Sequence, residues 1–198
     1  MEITARQLEI IEAAGEILTK SGVNGLTTKN LAALIGFSES ALYRHFKSKE
    51  EIILTMLLYL AEDMDIRLRL VVKVDNDPKK KLNALFNSQF DFFQKNPHFL
   101  IAMLSDGLFE ESAAINKAIK KIMETAMKQL LPIIELGQQQ HIFNRDLTAE
   151  ALCHFIMGSF RLHILKWRLS GLSFDVKQVG NERMKDLFLL ISSQKNTP

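Results

Sequence analysis

Turn-forming residues are scarce in this chain: nine Gly and four Pro are spread over 198 residues. Between them lie long stretches rich in Leu, Ile, Ala, Lys and Glu, most of which lose little on entering a helix. Their apolar residues recur three and four apart rather than alternating. The fold class this predicts is all-α, with the few glycines and prolines marking helix ends. Hydrophobic residues make up 47% of the chain and charged residues 24%, a balance suited to a globular core and not to disorder.

Caps locate the helix boundaries. Thr4 with Gln7 makes a capping box for a first helix, on which Ile10, Ile11, Ala14, Ile17 and Leu18 share one face. Ser21–Gly22 stops it, with Gly22 suited to a left-handed position. Thr27 caps a short second helix through Leu31 and Leu34, which Gly36–Phe37 breaks. Ser38 then caps a third, from Glu39 to about His45. Two short helices, a glycine-containing turn and the apolar set Leu31, Leu34, Phe37, Leu42 and Phe46 are the layout of a helix-turn-helix. Ser48 and Glu51 make a second capping box, opening a fourth helix that runs to about Val72. Asp77–Pro78 and Asn96–Pro97 open the fifth and sixth helices, and Asp106–Gly107 closes the sixth. Three more are expected over about 112–136, kinked at Pro132, over 148–169 and over 176–191. The expected organisation is a helix-turn-helix domain over 1–48, a connecting helix over 49–75 and a helical ligand-binding and dimerisation domain over 76–198.

Global charge does not announce a nucleic-acid partner. The formal net charge is +2, and the first fifty residues carry six Lys/Arg against six Asp/Glu. Any electrostatic attraction to DNA must therefore be local. Residues 42–49 hold Arg44, His45, Lys47 and Lys49 with no acid among them. A recognition helix needs short or flexible side chains at its start to reach base edges, with phosphate donors around it. Ser38, Glu39 and Ser40 stand at the start of the third helix; Tyr43, Arg44, His45, Lys47 and Lys49 follow as donors. Thr27 and Thr28 add hydroxyls beside the free N–H groups of the second helix, itself an anion site. Two roles are open to Glu39: it can accept from a cytosine amino group, or solvate the helix start and favour its dipole.

These residues carry a specific resemblance. Gly25-Leu26-Thr27-Thr28-Lys29-Asn30-Leu31-Ala32, then Gly36-Phe37-Ser38, then Leu42-Tyr43-Arg44-His45-Phe46-Lys47-Ser48-Lys49-Glu50-Glu51 resemble the signature of the TetR family of transcriptional regulators. The match covers about residues 5–55. It implies that Tyr43, His45 and Lys49 contact the DNA backbone and that Thr27, Thr28, Lys29, Ser38 and Ser40 lie on the DNA. Glu39 departs from the pattern, since many relatives carry a basic or neutral residue there.

Beyond residue 76 the sequence holds no chemical motif. Cys153 is the single cysteine, which excludes an intrachain disulfide. His98, His141, His154 and His163 share no metal-ligand spacing with acids or with Cys153, and no phosphate loop, nucleophile elbow or catalytic carboxylate pair is present. No enzymatic activity, metal or cofactor is expected. No run approaches 18 apolar residues and no charged-then-apolar leader opens the chain, so a cytoplasmic protein without a membrane partner is expected.

Aromatic density does stand out. Eleven of thirteen Phe lie at or beyond residue 86. Phe86, Phe90 and Phe93 share a helix face, Phe99 and Phe109 follow, and Met103, Met123 and Met127 are placed to meet them. This is either solid core or the lining of a cavity for an apolar or amphipathic effector, with Asn87, Gln89, Gln94 and Ser105 as polar anchors; the resemblance implies a small-molecule inducer. The last two helices present Phe155, Ser159, Phe160, His163 and Trp167 on one, and Met184 and Phe188 on the other. They either complete the core or pair with a second copy, as a homodimer reading two half-sites of a double-stranded DNA operator requires. The resemblance implies that four-helix interface. Together these readings suggest a repressor released by its effector, or else a DNA-binding accessory protein with a solid core and no inducer.

Overall fold

The computed structural model describes residues 3–73, 75–104 and 112–193. Ser105, Asp106–Gly107 and Phe109 lie outside the described residues. The helices are α1 (Ala5–Gly25), α2 (Thr28–Ile35), α3 (Glu39–Leu42), α4 (Lys49–Val71), α5 (Pro78–Lys95), α6 (His98–Leu104), α7 (Ala113–Gln139), α8 (Ala149–Leu169) and α9 (Val176–Ile191). Among the described residues the β-type pairing is one antiparallel bridge, Phe143 with Ser192. The all-α expectation holds.

The caps act where the sequence places them. Thr4 and Gln7 close both arms of their box, and Thr27, Ser38 and Thr148 each accept a backbone N–H three residues on. Such a cap contributes about 1 kcal/mol. Asp77 accepts from Lys79 N–H at 2.7 Å and so starts α5 at Pro78. Gly22 breaks the α1 backbone at φ 64°, although helical turns resume to Gly25. Pro132 lies within α7.

The chain divides into two compact units: residues 1–64 with 96–123, and residues 65–95 with 124–198. The division passes through α4 and α7 and not at 48 and 75, where the capping signals stand. Burial gives the reason: α6 belongs with the first four helices. Its His98 ring lies over Gly15 of α1, where a Cβ would come 2.6 Å from that ring. Phe99 stacks with Tyr59 of α4 at 6.3 Å. Within this unit Ile10, Ile11, Leu18, Leu31, Leu42 and Phe46 are buried. Leu34 is not, being 45% exposed, so the core set expected of the helix-turn-helix is smaller by one. Phe37 is half-buried beneath the Arg6 guanidinium, 4.8 Å from its ring centre.

In the second unit α5 packs against α9, and α9 against α8. Phe90 is fully buried. Its ring lies 5.4 Å from Phe160 and 6.4 Å from Phe86, with His163 edge-on at 5.5 Å. On α9 the neighbour is Gly180, whose missing side chain admits the ring: a Cβ there would stand 2.4 Å from Phe90 Cζ. Lys177 donates to Asp91 at 2.7 Å and Asn181 to Asn87 at 3.0 Å, tying the same two helices at their polar edge.

Candidate nucleic-acid interface

The turn between α2 and α3 depends on Gly36, which closes α2 at φ 70° and ψ 28°. In that left-handed conformation a side chain costs roughly 1–2 kcal/mol. The α3 helix is shorter than its sequence pattern, four residues instead of seven. At Arg44 and His45 the bonds tighten to three residues back, reaching Ala41 O and Leu42 O, before Phe46 N–H returns to Leu42 O four back. Tertiary anchoring by buried Leu42 and Phe46 permits this tighter turn.

The hydroxyls have distinct tasks. Thr27 Oγ1 accepts from Asn30 N–H at 3.1 Å, which leaves its own proton to donate outward. Thr28 Oγ1 donates to Glu39 Oε2 at 2.8 Å, joining the first residue of α2 to the first of α3. Ser38 Oγ accepts from Ala41 N–H, and Ser38 and Ser40 lie 2.9 Å apart in a shared hydroxyl bond. Lys29, Ser38, Glu39, Ser40, Arg44 and Lys47 are all exposed, and Tyr43 is 50% exposed despite its aromatic ring.

His45 and Lys49 are half-buried. The His45 backbone oxygen accepts from Gln7 Nε2 at 3.4 Å, and Lys49 Nζ donates to Val23 O at 3.4 Å. Lys49 thus binds the end of α1 and also carries its charge into this region. The second capping box is rearranged. Ser48 accepts from Glu51 N–H, but the Glu51 carboxylate accepts from Lys47 N–H at 2.5 Å, one residue earlier than the usual return arm. These bonds close a corner over 47–51 in which Lys47 is exposed. Four cations, Lys29, Arg44, Lys47 and Lys49, thus stand with Glu39 and the Glu50–Glu51 pair, and the first fifty residues are neutral as a whole.

Residues 10–56 of this chain match the bacterial regulatory proteins of the tetR family, and residues 78–177 match the tetracyclin-repressor-like C-terminal domain. The chain belongs to the tetR family. It is a DNA-binding transcriptional regulator, of a family that binds operators as dimers. The nucleoid occlusion factor SlmA of Aliivibrio fischeri is 26% identical over 194 residues, which are 96% of this chain and 95% of that protein. SlmA of Alteromonas mediterranea is 30% identical over 131 residues, 65% and 67% of the two chains. The fold is also that of the ketosteroid regulator KstR2 of Mycobacterium tuberculosis, at 21% identity and TM-score 0.80 over 98% of both chains. It is shared by FadR of Bacillus subtilis in complex with stearoyl-CoA, at 20% identity and TM-score 0.79 over 95% and 99%.

The aromatic residues of the expected effector site do not all gather. Phe86, Phe90 and Phe93 are buried in the second unit, each within 6.4 Å of Phe160. Met127 is half-buried in that unit, whereas Met103 and Met123 belong to the first, Met123 being 51% exposed. Of the polar anchors, Gln89 is buried and accepts from Arg67 at 2.8 Å, Asn87 bonds Asn181, and Gln94 is exposed. Sequence reasoning missed Arg67, which also donates to Ser88 O and lies 4.4 Å over the Phe92 ring.

The expected pairing helices also sort differently. His163 and Trp167 are buried, bonding Val176 O and Phe174 O at 2.9 Å each and so fixing the turn before α9. Met184 is buried, Phe160 joins the Phe86–Phe90 cluster, and Phe188 stacks on buried Phe143. His163, Trp167 and Met184 thus turn inward, the first two because their ring nitrogens find carbonyls within the unit, while Phe160 and Phe188 are half-buried with ring neighbours in it. Phe155, 59% exposed, and half-buried Ser159 are the two that face outward, in line with exposed Leu162 and Leu169. Among the described residues no three His, Cys, Asp or Glu side chains gather to hold a metal, and no helix is long and apolar enough to cross a membrane.

Proposed function

We infer that this regulator is a dimeric, non-enzymatic repressor acting in the cytoplasm, where bacterial DNA lies, and that an apolar or amphipathic effector releases it from its operator. The observation that carries the reading is the exposed donor set Lys29, Tyr43, Arg44 and Lys47, Lys29 on α2 and the others in the segment that follows α3, in a tetR-family domain. Thr27, His45 and Lys49 complete the grip on the phosphates, Ser38 and Ser40 face base edges, and Thr28 orients Glu39. Dimer contacts centre on the outward stripe Phe155, Ser159, Leu162 and Leu169 of α8 with Leu189 and Leu190 of α9, which leave large apolar surface uncovered. The effector lodges at the Phe86–Phe90–Phe93–Phe160 cluster. Support for an amphipathic class comes from the stearoyl-CoA bound to the Bacillus subtilis neighbour. An effector need only favour one of two dimer states by about 1–3 kcal/mol to act as a switch.

The test is a mobility shift on the DNA upstream of its own reading frame, with and without stearoyl-CoA. The expected result is a retarded complex that stearoyl-CoA dissolves, and that Tyr43→Phe and Lys47→Ala weaken while both variants stay dimeric. Unchanged binding by both variants overturns the assignment of those contacts. The second reading, an accessory DNA-binding protein with a solid core, is favoured by the close packing of Phe90 on Gly180 and by the nucleoid occlusion factors among its relatives. A melting temperature unmoved by saturating acyl-CoA and other apolar compounds decides for it.

A further inference from the structure

We propose that Glu39, oriented by Thr28, is the specificity-determining residue of this regulator and reads the amino group of a cytosine in each half-site. The inference rests on the DNA-binding reading above. Glu39 is the first residue of α3 and the only charged one in that helix, followed by Ser40, Ala41 and Leu42. It is exposed, at the end of the segment that must approach base edges.

The chemistry selects the base. A carboxylate only accepts hydrogen bonds, and it repels phosphate, so the DNA group that can pair with it is a donor on a base edge. In the major groove the donors are cytosine N4 and adenine N6. The adenine amino group stands beside the N7 acceptor of the same base, which a carboxylate repels. The cytosine amino group has no acceptor beside it on its own base. Guanine and thymine present O6, N7 and O4, all acceptors, and are disfavoured by charge.

The geometry makes the choice rigid. A free glutamate has three rotatable bonds and could turn away from the DNA. Here Thr28 Oγ1 donates to Oε2 at 2.8 Å across the gap between α2 and α3, holding the carboxylate with Oε1 left to accept. The neighbouring hydroxyls of Ser38 and Ser40 are bonded to each other, and it is Thr28 that donates to the carboxylate. Thr28 therefore acts as a positioning residue, acting on the DNA through Glu39.

The experiment is selection of bound duplexes from a randomised DNA pool by the full-length chain and its Glu39→Gln, Glu39→Ala and Thr28→Val variants. The wild type is expected to enrich a motif with cytosine at one symmetric position, preferred about tenfold or more over other bases. Glu39→Ala should lose that preference with the rest of the motif intact. Glu39→Gln should move it to adenine, whose N6 and N7 suit an amide. Thr28→Val should blur the preference without abolishing it. If Glu39→Ala selects the same bases at every position, with affinity raised or lowered uniformly, Glu39 acts by charge alone and the proposal fails while the regulator reading stands. A folded wild type that enriches no motif overturns both.

Discussion

Lys47 and Lys49 are two residues apart and do different work. Lys47 is exposed, its backbone held by Glu51, while Lys49 bonds Val23 O and is half-buried. Lys47→Ala should weaken operator binding with little change in melting temperature, whereas Lys49→Ala should lower both; equal effects on stability would show that the Val23 bond contributes nothing. Cys153 illustrates the opposite extreme, a nucleophile taken out of reach. It is fully buried, and burial, reinforced by the charges of Glu150 and Glu135, pushes its thiol up to about 12. The folded protein should therefore be inert to a thiol-specific dye at neutral pH, and denaturation should release one reactive thiol. Rapid labelling of the native chain would contradict this burial.

At the scale of helices, the contact of α6 with α1 is sensitive to pH. Burial over Gly15 pushes His98 down to about 4, against 6.5 for a free imidazole. The sign follows from proton counting. As pH falls below 6.5 the unfolded chain binds a proton that the folded chain refuses, so stability is full above 6.5 and declines between 6.5 and about 4. His98→Leu should flatten that part of the pH profile in chemical denaturation; an unaltered slope would place the titration elsewhere. Asp65, in the second unit, responds in the same direction from a different cause. Burial raises its pKa, but hydrogen bonds from Gln129 and Lys128 and the charges of Arg69 and Lys128 outweigh this and hold it below the usual carboxylate value. Its stabilising contribution persists above that usual value and disappears as pH falls through the lowered one.

For the whole molecule, DNA affinity must come from a compact cluster because the net charge is only +2. Each phosphate neutralised adds about 0.9 to the slope of log affinity against log salt. Lys47→Ala should therefore lower that slope by about 1 per subunit, while Glu39→Ala should not lower it. A salt slope that Lys47→Ala leaves unmoved would remove Lys47 from the phosphate contacts. Assembly is tested on the outward stripe: Leu162→Glu, replacing an exposed side chain, should produce a folded monomer by sedimentation and abolish tight operator binding. A persistent dimer would move the interface away from α8.

Local physics made much of this protein legible in its sequence. The caps Thr4, Thr27, Ser38, Asp77 and Thr148, the turn at Gly36 and the all-α class depend on neighbours within a few residues. The polar run from Tyr43 to Lys49, proposed above as phosphate donors, is a local feature of the same kind. Tertiary packing alone decided which residues of an apolar helix face inward. The pattern of α2 treats Leu31 and Leu34 alike, yet only Leu31 is covered; on α8, Trp167 and His163 turn in because the chain around Phe174–Val176 offers them carbonyls. It also decided that α6 packs on α1, through a ring lying over a glycine more than eighty residues away in sequence, and that Thr28 meets Glu39 across the turn. Such contacts join segments whose separation in the chain carries no periodic signal, so they exist only once the fold has closed.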